Sequence, residues 1–122
     1  MTARATLFAQ LAVLLTLAVL HIAGMNLFLY WEYRWLDFIT HFLGGVWVGL
    51  FTYWPFTYRE RPPHLLLFVC MGLILGSSWE LFEIGIGALD VNADIADTLT
   101  DLVMGVLGST LAGIAALRLR SS

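Results

Sequence analysis

The segment LLLFVCMGLILGSSWELFEIGIGAL, residues 65–89, is long and apolar enough to cross a bilayer, yet it carries Glu80 and Glu83 within one helical turn. About 20 apolar residues are needed to cross roughly 30 Å of hydrocarbon. An ionisable side chain inside the membrane costs about 2.5–3.5 kcal/mol on insertion scales, so it normally faces other helices or a wet cavity. The segment therefore predicts a membrane helix whose acidic face is turned into a bundle.

Three more segments have the length and composition of membrane helices: residues 7–30, 38–58 and 98–117. Short connectors join the four segments, with Pro62 and Pro63 in the second connector, and Pro55 is expected to kink or end the second helix. The apolar run after Arg4 continues to Tyr30 without a small-x-small cleavage pattern, which favours a retained anchor over a signal peptide. We predict an all-α integral membrane bundle of four transmembrane helices, forming a single domain over residues 1–122.

The composition agrees with this class and argues against others. Hydrophobic residues make up 60% of the 122 positions and charged residues only 12%, far from the usual values for soluble domains. Six arginines, no lysine and a net charge of -3 leave no basic surface, so nucleic acid is excluded as a partner. The lone Cys70 lies among apolar residues, where a thiol behaves as a small hydrophobe.

The arginines predict how the bundle is oriented. Cytoplasmic loops of membrane proteins carry an excess of basic residues. With four crossings, one side of the membrane has only Arg34, and the other side has Arg4, Arg59, Arg61, Arg118 and Arg120. Both termini are therefore expected in the cytoplasm, and the acidic residues Asp37, Asp90, Asp94 and Asp97 are expected near the outer face.

Three pairs of polar residues are spaced so that each pair shares a helix face: Asp37 with His41, Glu80 with Glu83, and Asp97 with Asp101. Glycines lie on the same faces, and small residues are typical of contacts between membrane helices. We expect the pairs to converge near the outer surface. Because the carboxylates would repel one another, they require either shared protons or one divalent cation. The cation would be Mg, Mn, Zn or Fe. Its predicted ligands are His41, Glu80, Glu83, Asp97 and Asp101.

Two kinds of function fit this pattern. In the first, the protein is a metal-dependent hydrolase or transferase on a lipid-linked substrate, with His41, Asp37 and Glu83 as catalytic residues and Asp37 orienting the His41 ring. In the second, it is a non-catalytic accessory or assembly subunit of a larger membrane complex, or a homo-oligomer, and the polar cluster is structural. For His21, hydrogen bonding within the bundle is favoured over a role in the cluster.

The stretches DFITHFLGG (residues 37–45), WELFE (79–83) and DIADTLTDLVMGVLG (94–108) together resemble the VanZ-like and YjdF-type proteins. The resemblance implies a small multi-pass protein of the bacterial inner membrane. It also places the family's polar motif positions at Asp37, His41, Glu80, Glu83, Asp97, Thr98 and Asp101. The sequence departs from that pattern at Gly105, where the family usually has Asn.

Overall fold

The protein consists of four long helices and two short helical segments. The computed structural model describes residues 1–87 and 95–121, and no strand occurs in those ranges. All four long helices are long and apolar enough to cross a membrane, which confirms the predicted all-α, four-span architecture. The elements in chain order are α1 (Ala3–Asn26), α2 (Leu29–Glu32), α3 (Trp35–Tyr53), a 3₁₀ helix (Trp54–Tyr58), α4 (Leu65–Gly85) and α5 (Ile95–Ser121).

Side-chain caps determine where two of the helices begin. The Thr2 hydroxyl accepts a hydrogen bond from the amide of Ala5 at 3.2 Å, at the start of α1. The Nδ1 atom of His64 accepts one from the amide of Leu66 at 3.4 Å, at the start of α4. Each cap satisfies an amide that has no partner within the helix. Pro55 lies in the 3₁₀ helix directly after α3, and it ends the regular helix as expected.

The first helix is shifted toward the N-terminus from the expected residues 7–30. It ends at Asn26, because Phe28 has a left-handed backbone conformation with φ of 56° that interrupts the helical hydrogen bonding. The short α2 then turns the chain back, and the Tyr30 hydroxyl lies 3.0 Å from Nδ1 of His21. Neither glycine nor proline occupies Leu27 or Phe28, so the hydropathy pattern extended the predicted helix through the turn. Gly24, near the end of α1, makes room for the Tyr30 ring that packs back on the helix.

The other boundaries differ by a few residues. Helix α4 ends at Gly85 rather than residue 89, and Gly87, with φ of +73°, follows in a turn. Helix α5 begins at Ile95 and continues to Ser121, so it is longer than the predicted 98–117. Asp90 and Asp94, which were predicted to face outward, lie outside the described residues.

Glycines bring α3 and α5 into backbone contact. A Cβ atom on Gly45 would overlap the carbonyl of Gly105, and one on Gly108 would overlap the carbonyl of Phe42. Larger side chains at these positions would push the two helices apart. The small residues that the sequence places on these faces are therefore what allows this close approach.

Helix α4 is held against the same pair by a buried polar contact and a small apolar core. The hydroxyl of Ser109 donates a hydrogen bond to the carbonyl of Phe68 at 2.8 Å, and both residues are fully buried. Phe68 also packs with Tyr53 and Ala116. Helices α3, α4 and α5 thus form a compact three-helix core.

The two chain ends lie together at one end of the bundle. The Met1 ammonium donates to the carbonyl of Leu119 at 2.6 Å. The Arg120 guanidinium donates to the carbonyl oxygens of Phe56 at 2.7 Å and Glu60 at 2.8 Å. These bonds tie the end of α5 to the connector between α3 and α4. Because α1 and α3 run the length of the bundle, the turn containing α2, which joins them, lies at the opposite end.

Helix α1 is attached to one side of the core. It packs against α3 and the 3₁₀ helix, whereas no close backbone approach joins it to α4 or α5 in the described part of the chain. A cleft therefore separates α1 from α4, and α3 forms its floor.

Replacing Gly108 by alanine should destabilise the fold by about 1–3 kcal/mol, because the added methyl group overlaps backbone in a packed interface. Thermal unfolding in detergent measures the effect. Gly85→Ala is the matched control, since nothing lies within 4 Å of its added Cβ. Equal unfolding temperatures for the two variants would contradict close α3–α5 packing.

Candidate functional site

His41 lies at the centre of the polar residues, one to two turns into α3. Its Nε2 atom is 3.6 Å from Oδ1 of Asp37 and 3.6 Å from Oδ2 of Asp101. Its Nδ1 atom is 3.9 Å from Oε1 of Glu80. Three helices therefore supply carboxylates to the two nitrogens of one imidazole ring.

Two groups of side chains are close enough to hold a metal ion, and His41 belongs to both. The first group is Asp37, His41 and Asp101, and the second is His41, Glu80 and Glu83. Within each group the ligand atoms all lie within 4.8 Å of one another. The structure thus brings together five of the six residues predicted for the site.

Asp97 is outside both groups. It lines the same cavity from the first turn of α5, one turn before Asp101. An acid at this position interacts favourably with the positive end of the helix dipole. Its role as a metal ligand stays a prediction.

The distances around His41 are too long for direct hydrogen bonds, which are typically 2.7–3.2 Å. Two ligands about 2.1 Å from a tetrahedral ion are about 3.4 Å from each other. The 3.6 Å separations at Nε2 are close to that value, and the 3.9 Å separation at Nδ1 requires only a small side-chain adjustment. The geometry is therefore compatible with a cation at either ring nitrogen, bound with Asp37 and Asp101 at Nε2 or with Glu80 at Nδ1.

Two of the carboxylates are buried with unsatisfied oxygens. Glu80 is 5% exposed and Asp101 is 4% exposed. Oε2 of Glu80 and Oδ1 of Asp101 are buried and have no hydrogen-bond partner among the described residues, although the Thr98 side chain is within hydrogen-bonding reach of Glu80. A buried, unpaired carboxylate is costly, so these oxygens require a proton or a cation.

The imidazole ring cannot satisfy its neighbours by itself. A neutral histidine has one N–H donor and one acceptor nitrogen, whereas carboxylate oxygens of this site face both His41 nitrogens. One side of the neutral ring would therefore place a nitrogen lone pair against an oxygen. A doubly protonated ring, a protonated carboxyl or a bound cation removes that repulsion.

A cavity of about 880 Å³ extends from this cluster along the cleft between α1 and α4. The ionisable residues line its upper end, near α2. Farther toward the chain ends its walls are apolar, and they include Leu17, Val48 and Leu75. The site is therefore at the end of a largely apolar cavity that opens between two helices.

Three residues that line the cavity were not predicted from the sequence to belong to the polar cluster. His21 and Tyr30 hydrogen-bond to each other on the α1 side, and partial burial raises the pKa of the Tyr30 phenol. The exposed Arg34 lies at the mouth. The left-handed turn at Phe28 places Tyr30 here, and hydropathy carries no signal for such a turn.

The WELFE motif contributes Trp79, which lines the cavity and packs against Phe82 at a ring distance of 5.5 Å.

Comparison with known families gives one informative result. Residues 2–122 match the family described as predicted membrane protein (DUF2238). The chain belongs to the DUF2238 family. The assignment confirms that this DUF2238 chain is a membrane protein, as its composition predicted. Searches of curated proteins and of solved structures give no significant match.

Replacing Asp101 by asparagine should have opposite effects on stability with and without a divalent cation. In excess chelator, Asn removes a buried carboxylate without a partner, and we expect a gain of about 1–3 kcal/mol. With a divalent cation present, the same change removes a ligand and should lower the unfolding temperature. Thermal unfolding under the two conditions measures this sign change.

Glu32→Gln is the matched control, because Glu32 is an exposed acid on α2, away from the buried carboxylates. It should leave both unfolding temperatures unchanged. A loss of stability in Asp101→Asn under both conditions would show that the carboxylate is satisfied within the protein.

Proposed function

We propose that this DUF2238 protein is a cation-dependent hydrolase or transferase that acts on a lipid-linked substrate at the membrane surface. The observation that carries the proposal is the convergence of Asp37, Asp101, Glu80 and Glu83 on His41 at the polar end of a cavity that opens between helices. A solely structural cluster would be expected to satisfy its own polar groups, whereas two buried carboxylate oxygens here lack partners among the described residues.

The donor set suits Mg, Mn, Zn or Fe, because it combines one imidazole with several carboxylates. A divalent cation in such a site lowers the pKa of bound water and polarises a carbonyl or phosphoryl oxygen. Asp37 lies one turn before His41 and would hold the ring in position for ligation. Glu83 is half-buried at the outer edge of the cluster, where it would carry protons between the reacting group and water.

The distribution of arginine supports an outward-facing site. Arg4 and Arg120 lie at the end of the bundle where the two chain ends meet, together with Arg59, Arg61 and Arg118. Under the positive-inside rule that end is cytoplasmic. The cluster is then at the outer leaflet of a multi-pass protein of the bacterial inner membrane, as the resemblance to VanZ-like and YjdF-type proteins implies.

A second candidate is an accessory or assembly subunit with a structural ion. It is favoured by the limited burial of α1, in which only Thr6, Gln10 and Gly24 are buried within the chain. The remaining surface is available to another membrane protein or a second copy, as well as to lipid. Purification in mild detergent distinguishes the candidates, since a subunit is expected to copurify with a partner in fixed ratio.

Metal analysis of purified protein tests the proposed centre. We expect about one divalent ion per chain, bound at one of the two His41 nitrogens, and a large loss in His41→Ala because His41 belongs to both candidate groups. A large loss in Glu80→Gln as well assigns the ion to the group of His41, Glu80 and Glu83, whereas retention in Glu80→Gln assigns it to the group of Asp37, His41 and Asp101. The matched controls at the other end of the bundle are Glu60→Gln and His64→Asn, in which the Asn side-chain oxygen replaces the Nδ1 atom of His64 as the cap of α4. Unchanged metal content in both His41→Ala and Glu80→Gln would remove the cation from the proposal.

A further inference from the structure

The cavity has a polar end and an apolar end along the direction of the helices. Helix α3 contributes His41 at one end and Val48 at the other, about 10 Å apart at the helical rise. On α4 the equivalent span from Glu80 to Gly72 is about 12 Å. The lining therefore changes from carboxylates and imidazole to hydrocarbon over a distance comparable to one third of the bilayer core.

The apolar part of the cavity is open on its side. Helix α1 provides Leu17 and α4 provides Leu75, and these helices make no close backbone contact in the described ranges. At this depth the opening faces the hydrocarbon of the bilayer. A chain of a membrane lipid can therefore enter between α1 and α4 without leaving the membrane.

Among the described residues, one basic side chain lies at the mouth of the cavity. Arg34 is exposed, lines the mouth, and makes no hydrogen bond or ion pair with the residues that the structure describes. It is also the single arginine that the sequence places at this end of the bundle. Guanidinium groups bind phosphate in a planar, bidentate geometry, and divalent cations with carboxylate ligands commonly bind phosphate oxygens as well.

We propose that the groove between α1 and α4 binds one acyl chain of a phosphate-bearing lipid, with the phosphate between Arg34 and the His41 cluster. The apolar walls select a hydrocarbon chain, and Arg34 together with a cation held by the carboxylates selects the anionic head group. This assignment names the substrate class of the site. Its phosphate part rests on the proposed function, because that function supplies the cation, whereas the acyl-chain part depends only on the groove.

Two probes that share an acyl chain separate these contributions. Radiolabelled oleoyl lysophosphatidate carries a phosphate, and radiolabelled monoolein has the same chain and no phosphate. Binding to the full-length protein in detergent is measured for each probe with Mn²⁺ and with chelator. We expect lysophosphatidate to bind more tightly than monoolein in Mn²⁺, and Arg34→Gln to weaken lysophosphatidate alone by about tenfold.

Tryptophan substitutions test whether the groove is where the chain binds. Leu17→Trp and Leu75→Trp add bulk to its two walls, and both should abolish binding of either probe. Leu15→Trp and Ile74→Trp are the matched controls, because these residues are exposed, face away from the cavity and lie next to or near the wall positions. The controls should bind both probes as the unmodified protein does.

Each contrary result overturns a stated part of the assignment. Equal binding of the two probes in Mn²⁺, or an unaffected Arg34→Gln variant, overturns the phosphate head group. Retention of both probes by Leu17→Trp and Leu75→Trp overturns the groove as the chain site. A different result would contradict the proposed function alone. If the protein binds the acyl chain but holds no metal, and binding does not depend on Mn²⁺, the cation-dependent function is wrong and the acyl-chain site stands.

Discussion

The backbone contact between α3 and α5 is the constraint on which the rest of the structure depends. Gly45 and Gly108 let the two helices approach until a Cβ on either would meet the opposing main chain. That approach brings Nε2 of His41 within 3.6 Å of Asp101. A wider spacing would separate the imidazole from the buried carboxylate, so the packing that folds the bundle also assembles the candidate site.

The same arrangement explains how ionisable residues persist at membrane depth. Glu80 and Asp101 face the core between helices, away from lipid, and are almost completely covered. Burial between helices avoids exposure to hydrocarbon, but it leaves oxygens that the described residues do not satisfy. The inward orientation of Glu80 and Asp101 therefore has two consequences. It allows the helices to insert into the membrane, and it creates the need for a proton or cation that neutralises the two carboxylates.

Much of this arrangement was predictable from the sequence because its causes are local and periodic. Span length identified four helices, and the spacing of Asp37 with His41 and of Glu80 with Glu83 placed each pair on one face. The backbone turn at Phe28 was not predictable, since its left-handed residue is a phenylalanine and neither glycine nor proline occupies Leu27 or Phe28. The cavity was also not predictable, because it results from α1 packing on α3 and the 3₁₀ helix without approaching α4 within the described residues. Helical periodicity does not specify which pairs of helices pack together.

The attachment of α1 also has a consequence for how such a protein diversifies. Its buried residues, Thr6, Gln10 and Gly24, lie toward its two ends, while Leu17 faces the cavity from the stretch between them. The wall of the groove on this helix is thus formed by residues that take no part in the α3–α5 contact. Evolution can alter the shape of that wall by single substitutions while the helix pair that folds the protein remains the same.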